Sequence, residues 1–293
     1  MEKLSNSEIS ISISEHGAEL QSIKKNNVEY LWQGDPAFWG RRSPVLFPIV
    51  GSLCDKKTKI NGVTYEMGHH GFARDMDFEL VEKTDDLLKF RLASNEETHK
   101  KFPYDFCLEI SYRIHGSSAD VIWDVKNTGS EEMFFQIGAH PAFNYPDFDE
   151  EAYTKAFMTF EKGGKAASGI KYIKIEEKGC ANTEKRYDMP LVDGRLPLDI
   201  HTFDRDAYIV EDAQIDKATL LTLEGKAVLS VAFESPLAGI WSPASKNAPF
   251  VCIEPWYGRC DRMDYQGEFK DRDHVNRLAA GGTFHSCYTI TIE

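Results

Sequence analysis

The sequence lacks several features that mark large classes of proteins. Its 293 residues contain no CxxC pair, no Gly-rich phosphate loop, no GxSxG elbow, no repeat of fixed period and no low-complexity tract. No apolar run approaches the roughly 20 residues that cross a bilayer, and the N-terminal segment MEKLSNS has no apolar signal region. We therefore expect neither a phosphate-loop enzyme, nor a repeat protein, nor a membrane protein.

Positive charge is also scarce. The formal net charge is −13 and the isoelectric point is near 5.2, which disfavours nonspecific binding to nucleic acid or to anionic lipid. The hydrophobic content of 42 % is that of an ordinary globular protein that can bury a large core. We predict one domain over residues 1–293 and a neutral small molecule as its partner, with no nucleic acid and no membrane.

Cysteine is present, but without a disulfide pattern. The six cysteines could form three disulfides, yet most of them lie in apolar, strand-like runs, as buried free thiols do. This usage predicts reduced thiols and a cytoplasmic location.

Hydrophobic periodicity indicates many strands and almost no helix. Ile9, Ile11 and Ile13 alternate with serines, as in a strand with one buried face, and residues 283–292 form a long closing strand of the same kind. Helix is predicted only at 94–100, which begins with a capping-box pattern, and at 271–278. Between 147 and 198 the pattern weakens, which predicts long excursions over the sheet. The fold class is all-β, a large antiparallel β-sandwich.

Three segments place a polar group of useful pKa against a glycine or a proline, where a strand is expected to stop. Segment 134–145, FFQIGAHPAFNY, places His140 before a proline, and 251–258, VCIEPWYG, does the same with Glu254. Segment 69–74, HHGFAR, places His70 before a glycine. Side chains at such strand ends face clefts, so we predict that these three meet in one site. Segment 39–51 is broken by prolines and is expected to be an edge strand or ordered loop lining it.

Taken in order, short motifs along nearly the whole chain resemble one family. They are FPIVG at 47–51, NGVTY at 61–65, HGFAR at 70–74, FPY at 102–104, GAHPAFN at 138–144 and EPW at 254–256. The ordered set resembles the aldose 1-epimerase (galactose mutarotase) superfamily, and within it the LacX-like branch. The resemblance implies a galactose mutarotase-like supersandwich with a sugar in a cleft on one sheet, and a cofactor-independent isomerase that is a monomer or homodimer.

The resemblance also implies roles for individual residues. His140 matches the histidine that protonates the sugar ring oxygen, and Glu254 matches the base that takes the anomeric hydroxyl proton. His70 matches the second sugar-binding histidine. Asp206 is the match for the aspartate that binds sugar hydroxyls, with Asp204 as its rival.

The arginine of the family has no direct counterpart. By spacing it falls near Gly51, so Arg42 or Arg74 is expected to contact the sugar instead. Aromatic side chains near the motifs offer flat apolar faces for a sugar ring, with Trp256 the foremost of them. The others are Phe72, Phe143, Tyr145 and Tyr257.

The chemistry can also be derived from the residue types. Opening a pyranose hemiacetal removes a proton from O1 and adds one to the ring oxygen, and the ring then closes on the other face of C1. One base and one acid suffice, and a glutamate and a histidine can exchange protons near neutrality. The step needs no metal and no other cofactor.

Several alternatives use the same residues. Glu254 could form a salt bridge with Arg259 or Arg262, and His70, His140 and Glu254 could together hold a metal ion. The function could be that of a hexose-6-phosphate 1-epimerase, for which Arg41 and Arg42 are the only adjacent cations near a motif, or of a noncatalytic sugar-binding protein.

Overall fold

The computed structural model describes residues 1–293, apart from the side chain of Glu177, and consists mainly of strands. In chain order the 26 strands are β1 (Glu2–Ser5), β2 (Ile9–Ile13), β3 (Leu20–Lys25), β4 (Val28–Glu29), β5 (Val45–Leu46), β6 (Lys57–Ile60), β7 (Val63–Glu66), β8 (Glu79–Lys83), β9 (Leu87–Ala93), β10 (Phe106–His115), β11 (Ser118–Asn127), β12 (Met133–Phe135), β13 (Ile137–Ala139), β14 (Ala142–Asn144), β15 (Thr154–Lys162), β16 (Lys165–Ala166), β17 (Lys171–Ile175), β18 (Ala181–Asp188), β19 (Leu196–Asp199), β20 (Tyr208–Val210), β21 (Lys217–Leu221), β22 (Ala227–Phe233), β23 (Leu237–Trp241), β24 (Phe250–Tyr257), β25 (Asn276–Leu278) and β26 (Thr283–Ile292). One short α-helix, α1, spans Glu96–His99, and 3-10 helices span Cys54–Lys56, Ala73–Asp75, Glu177–Gly179 and Phe269–Asp271.

Two large antiparallel sheets form the body of the protein. The ten-stranded sheet has the order β16-β15-β21-β22-β26-β11-β10-β9-β8, with β19 paired to β15, and the eight-stranded sheet has the order β18-β17-β20-β23-β24-β13-β5, with β14 paired to β24. The smaller sheets are a four-stranded one with the order β1-β2-β3-β4 and two two-stranded ones, β6-β7 and β12-β25. Side chains from the two large sheets meet between them: Tyr257 of β24, for example, accepts a 2.8 Å hydrogen bond from Ser286 of β26. The predicted antiparallel β-sandwich is confirmed.

The eight-stranded sheet buries both of its faces, and β24 displays this most clearly. Val251 and Ile253 belong to the main core between the sheets, whereas Phe250, Cys252 and Trp256 belong to two smaller clusters on the opposite face. Side chains alternate along a strand, so Glu254 also points to this outer face. The outer face of the eight-stranded sheet is therefore where a cleft can form.

Most strand predictions are confirmed, with differences where the signal was weak. The strand over 283–292 is β26, and the turn at 94–100 is α1, although Asn95 rather than Ser94 caps it, with Thr98 as its reciprocal partner. The helix predicted over 271–278 is wrong, because Asn276–Leu278 pairs with β12 instead. Residues 147–198 contain regular strands such as β15 and β18 rather than long excursions only.

Other expectations about the whole chain concern domains, thiols and the membrane. All six cysteines are free thiols. Within the part of the chain that is described, we find no helix with the length and apolar character to cross a membrane. The assignment of residues 1–293 to one domain stays a prediction.

Candidate active site

A cavity of about 190 Å³ opens on the outer face of the eight-stranded sheet. This is smaller than the roughly 300–1,000 Å³ of sites for drug-sized ligands. Its polar lining consists of His69, His70, Arg74, His140, Asp206 and Glu254, and its aromatic lining of Trp39, Trp241 and Trp256. The cavity therefore combines hydrogen-bonding groups and flat apolar surfaces at the scale of a small polar molecule.

Strand pairing brings His140 and Glu254 together. Gly138 of β13 pairs with Trp256, and Ala142 of β14 pairs with Cys252, so the break between these two strands faces Glu254. His140 and Pro141 occupy that break, as the sequence predicts. The carbonyl of Pro141 still accepts a bond from the N–H of Ile253 at 3.2 Å, which keeps the break attached to β24.

His140 and Glu254 form a buried acid–base pair. Nε2 of His140 lies 3.3 Å from Oε2 of Glu254, and the two residues are 7 % and 1 % exposed. Neither Nδ1 of His140 nor Oε2 of Glu254 has a hydrogen-bond partner among the described residues. Two buried polar atoms without partners are costly, which favours a ligand that hydrogen-bonds to them.

Burial pushes the two pKa values in opposite directions. It raises the pKa of Glu254 well above its usual value, with the charge of Asp206 adding to the effect. It lowers the pKa of His140 well below its usual value, helped by the nearby positive charges of His69 and Arg74. The pair is thus favoured as a neutral imidazole beside a protonated carboxyl, since each charged form is disfavoured.

His70 stands at right angles to His140, with ring centroids 5.4 Å apart. Its Nδ1 accepts a 3.0 Å hydrogen bond from the N–H of Gly51, which leaves Nε2 to carry the proton in the neutral ring. Burial, followed by the charge of His69, lowers the pKa of His70 well below its usual value. His70 is therefore a neutral, oriented hydrogen-bond donor.

The residues around His70 complete one wall. Nδ1 of His69 lies 2.8 Å from Oγ of Ser52, and burial together with Arg74 lowers the pKa of His69 to about 4. Arg74 donates to the carbonyl of His69 at 2.7 Å, and its Nε is buried without a hydrogen-bond partner among the described residues. Arg74 thus lines the cavity, and its contact with a sugar stays a prediction; the lining by His69 was not predicted.

Asp206 lines the cavity and Asp204 does not. Asp206 adopts a left-handed backbone conformation with φ 70°, and its carboxylate accepts a 2.7 Å bond from the N–H of Ala207. Asp204 instead lies 2.9 Å from Nδ1 of His201 and lines two neighbouring cavities but not this one. Of the two rivals, the geometry favours Asp206 as the ligand-binding aspartate.

Trp256 forms the floor of the cavity because two neighbouring strands make room for it. A Cβ atom on Gly239 would lie 2.5 Å from its ring, and one on Gly138 would lie 2.6 Å from it. Its Nε1 donates to the carbonyl of Ala139 at 3.2 Å, which fixes the ring. Glycine is needed at both positions because no real Cβ approaches an atom so closely.

Two further tryptophans were not predicted to line the site. Trp39 stacks on His140 with ring centroids 4.7 Å apart, and Trp241 meets the same ring edge-on at 5.3 Å. Trp39 lies in the segment 39–51 that the sequence predicts to line the site, so its position in that segment was the available signal. Trp241 ends β23 and carries no comparable local signal.

Some predicted site residues lie elsewhere. Arg42 is not among the described residues that line the cavity; it donates through Nη1 to Gln21 and through its backbone N–H to Glu19 at 3.0 Å, which ties its loop to the first sheet. Ligand contact by Arg42 stays a prediction, and the lining of the cavity does not support it. Phe143 and Phe72 belong to the main core, as does Tyr145, and Tyr257 packs against that core.

The alternative roles of Glu254 are also resolved by position. Arg259 binds Glu211 and Asp273, and Arg262 binds Asp273, so neither forms the predicted salt bridge with Glu254. The three described groups that could share a metal ion are His140, Cys252 and Glu254, whose ligand atoms lie within 4.8 Å of one another. His70 is not in this set. Burial raises the pKa of Cys252, which disfavours the thiolate that binds metals.

The fold and the site together define a β-sandwich protein whose acid–base pair lies in a small polar cleft lined with tryptophan. The sequence model of the family described as Aldose 1-epimerase matches residues 3–177. Protein LacX (plasmid) from Lactococcus lactis subsp. lactis is 30 % identical over 298 residues, which cover 99 % of this chain and 98 % of LacX. The chain therefore belongs to the aldose 1-epimerase family.

Solved structures agree with this assignment. The galactose mutarotase related enzyme from Lactobacillus acidophilus has a TM-score of 0.90 and 33 % identity, with 100 % of this chain and 97 % of that chain covered. A galactose mutarotase-like protein from Lactobacillus casei ATCC 334 has a TM-score of 0.93 and 31 % identity over 100 % of both chains. The galactose mutarotase-like fold is confirmed, and the family supports an isomerase of the epimerase type.

Proposed function

We propose that the protein is an aldose 1-epimerase that interconverts the α and β anomers of a free aldohexose. The observation that carries this proposal is the buried pair of His140 and Glu254, 3.3 Å apart and each with an unpartnered polar atom among the described residues. A pyranose offers both of the proton-exchange positions that such a pair requires, because its anomeric hydroxyl and ring oxygen are bonded to the same carbon.

In the proposed mechanism Glu254 accepts the proton of the anomeric hydroxyl. The electron pair released from that O–H bond forms the C1–O1 double bond, and the bond between C1 and the ring oxygen breaks. His140 donates a proton to the ring oxygen as it leaves. Rotation about the C1–C2 bond exposes the other face of C1, and the same two transfers in reverse close the ring as the opposite anomer.

The protonation state of the pair suits a reversible reaction. The neutral pair and the reactive pair, which consists of a carboxylate and an imidazolium, carry the same number of protons. They differ by one transfer between Glu254 and His140, whose atoms are 3.3 Å apart. Sugar hydroxyls that donate to the carboxylate lower its pKa, so substrate binding favours the reactive form.

The surrounding residues hold the sugar in this proposal. His70 donates from Nε2, Asp206 accepts from hydroxyls, and Arg74 supplies a fixed positive charge on the same wall. Trp256 presents an aromatic surface to the C–H side of the ring. This chemistry needs no cofactor, and we propose that the enzyme works without one.

Anomer exchange measured by two-dimensional NMR tests the proposal. Galactose and glucose are equilibrated with catalytic amounts of protein, and exchange between the two anomeric proton signals is compared with that in buffer alone. We expect faster exchange for at least one free hexose, and quenching of tryptophan fluorescence on binding. A protein that binds these sugars without accelerating exchange would instead be a noncatalytic sugar-binding protein.

A second candidate function, a hexose-6-phosphate 1-epimerase, is favoured by the neighbouring cavity of about 700 Å³. It shares Asp206 and Trp241 with the first cavity and is also lined by Lys174 and Arg205. Arg205 has no salt bridge among the described side chains, and Lys174 stands 3.9 Å from the ring centroid of Tyr187. Two cations beside the cleft could bind a phosphate.

The cations predicted for a phosphate are placed differently. Arg41 donates to Asp75 at 2.8 Å, and neither Arg41 nor Arg42 is among the residues lining the two cavities. The test measures the affinities of the parent protein and of Arg205→Gln for a hexose and for its 6-phosphate. Lys162→Gln, which removes a cation from the ten-stranded sheet, is the control. A loss of affinity confined to the phosphate ester and to Arg205→Gln would favour the second candidate.

A further inference from the structure

Two cysteines distant in sequence meet beside the cavity wall. Sγ of Cys54 lies 2.7 Å from Sγ of Cys180, although 126 positions separate the two residues. Cys54 begins the 3-10 helix Cys54–Lys56, and Cys180 directly follows the 3-10 helix Glu177–Gly179. Disulfide bonding requires sulfur atoms about 2.05 Å apart, so the two side chains are already close to a bonding arrangement.

Both cysteines are attached to residues of the active-site cavity. Gly51, three positions before Cys54, and Gly179, immediately before Cys180, both line it, and a Cβ atom on Gly179 would lie 3.0 Å from Oγ of Ser52. The N–H of Gly51 also donates to Nδ1 of His70 at 3.0 Å. A covalent bond between the two cysteines would therefore join two segments of the wall and fix the one that orients His70.

We propose that Cys54 and Cys180 form a reversible intramolecular disulfide by exchange with a small-molecule disulfide. This modification goes beyond the proposed sugar chemistry and does not depend on it. Cys54 is half-buried and can be reached by a small reagent, whereas Cys180 is only 2 % exposed. The accessible thiol thus reacts first and the buried one resolves the product.

The exchange proceeds in two balanced steps. The thiolate of Cys54 attacks one sulfur of the reagent, forming a mixed disulfide and expelling the other half as a thiolate that takes up the proton lost by Cys54. Cys180 then loses its proton and attacks the sulfur of Cys54, which expels the second half of the reagent as a thiol. Two protein thiols are oxidised, and one small disulfide is reduced to two thiols.

The other cysteines are not placed for this reaction. Cys260 is buried near Gly51, where no other sulfur of the described residues contacts it. Among the described residues, no pair of sulfurs other than Cys54 and Cys180 lies within hydrogen-bond distance. Cys107 lies half-buried on β10 and serves as a matched control.

Thiol counting on the native protein tests the proposal. The parent protein is incubated with oxidised glutathione, denatured in guanidinium chloride that contains N-ethylmaleimide to block free thiols, and analysed by mass and by peptide mapping without reduction. We expect the six free thiols to fall to four, because one disulfide consumes two, with a linked peptide pair containing residues 54 and 180. Six remaining thiols, or a different linked pair, would overturn the proposal.

Three variants test the order of the steps. Cys180→Ser should trap a glutathione adduct on Cys54, and Cys54→Ser should form neither the disulfide nor an adduct at position 180. The control Cys107→Ser should form the disulfide as the parent does. Oxidation should raise the Tm of the parent by about 5–10 °C, reversibly with dithiothreitol, because the link closes a long loop. An unchanged Tm after link formation would contradict a bond between two ordered segments.

Discussion

Replacing Glu254 by glutamine is the sharpest perturbation of the proposed mechanism. Glutamine has almost the same volume, so it leaves no void at a position that is 1 % exposed. Its amide can donate a hydrogen bond to neutral Nε2 of His140, which lies 3.3 Å from Oε2 in the parent. The variant should therefore fold and retain the cavity while it loses the group that accepts the anomeric proton.

The expected magnitude follows from the role of one positioned base. Such a group contributes about 10²–10⁴-fold, so kcat should fall by that factor, or by about 3–5 kcal/mol of transition-state stabilisation, with a smaller change in KM. Exchange NMR on both anomers measures the rate, and a tryptophan fluorescence titration measures binding separately. His140→Asn should behave similarly, and the double variant should lose far less than the sum of the two, because the pair acts as one relay.

Stability supplies an internal control for the same variant. The pKa of Glu254 is raised in the folded protein, so the stabilisation contributed by its protonation is present below about pH 4.3 and is lost as pH rises through the folded pKa. The glutamine variant has no such loss, so its free energy of unfolding relative to the parent should increase with pH. A folded Glu254→Gln protein that exchanges anomers at the parent rate would refute the assignment of Glu254 as the base.

Three further predictions concern His70, which lines the cavity, Gly239, which makes room for Trp256, and the buried ion pair of Glu211. His70→Ala should raise the sugar Kd and lower kcat together, measured by titration and exchange NMR, whereas a pure proton-transfer role would leave Kd unchanged. Gly239→Ala should lower the free energy of unfolding in urea by about 1–3 kcal/mol and shift the tryptophan emission, because the added Cβ would lie 2.5 Å from the ring of Trp256. A variant with the stability and emission of the parent would contradict this contact. Glu211→Gln should cost about 1.5–3 kcal/mol at pH 7, because Arg259 keeps Asp273 at 2.6 Å but loses its charged partner at 2.7 Å. Hydrogen bonds from His274 and Arg259 outweigh burial and lower the pKa of Glu211 to about 2, so the advantage of the parent should shrink as pH falls from about 4.3 towards 2, and an advantage independent of pH would contradict the pairing.

Local pattern predicted the sandwich well because its strands carry their own signal. The alternation in β26 and the loop residues that flank β10 and β11 do not depend on distant contacts. The segment 271–278 fails for the opposite reason. Arg272 is held by Asp261 and Gln136, and Asn276–Leu278 pairs with β12, so partners far along the chain override local helix propensity.

The site was predictable where a residue type and a chain break coincide. His140 and Glu254 each precede a proline within an apolar run, and their meeting follows from strand pairing. Arg42 and Trp241 lack such a signal, since an arginine or a tryptophan is equally compatible with many surroundings. Which of them reaches the cavity depends on how the loops and strand ends pack, and no short stretch of sequence contains that information.

The alternation along β24 ties chemistry to architecture. Val251 and Ile253 fill the main core, while Cys252, Glu254 and Trp256 face outward between them. A shift of β24 by one residue in its pairing register would bury the Glu254 carboxylate between the sheets and turn the core side chains into the cleft. The core and the cavity would therefore be lost together. Segments outside β24, such as those around Gly51, Gly179 and Asp206, line the same cavity, so substitutions there can change the lining while the register of β24 keeps Glu254 in place.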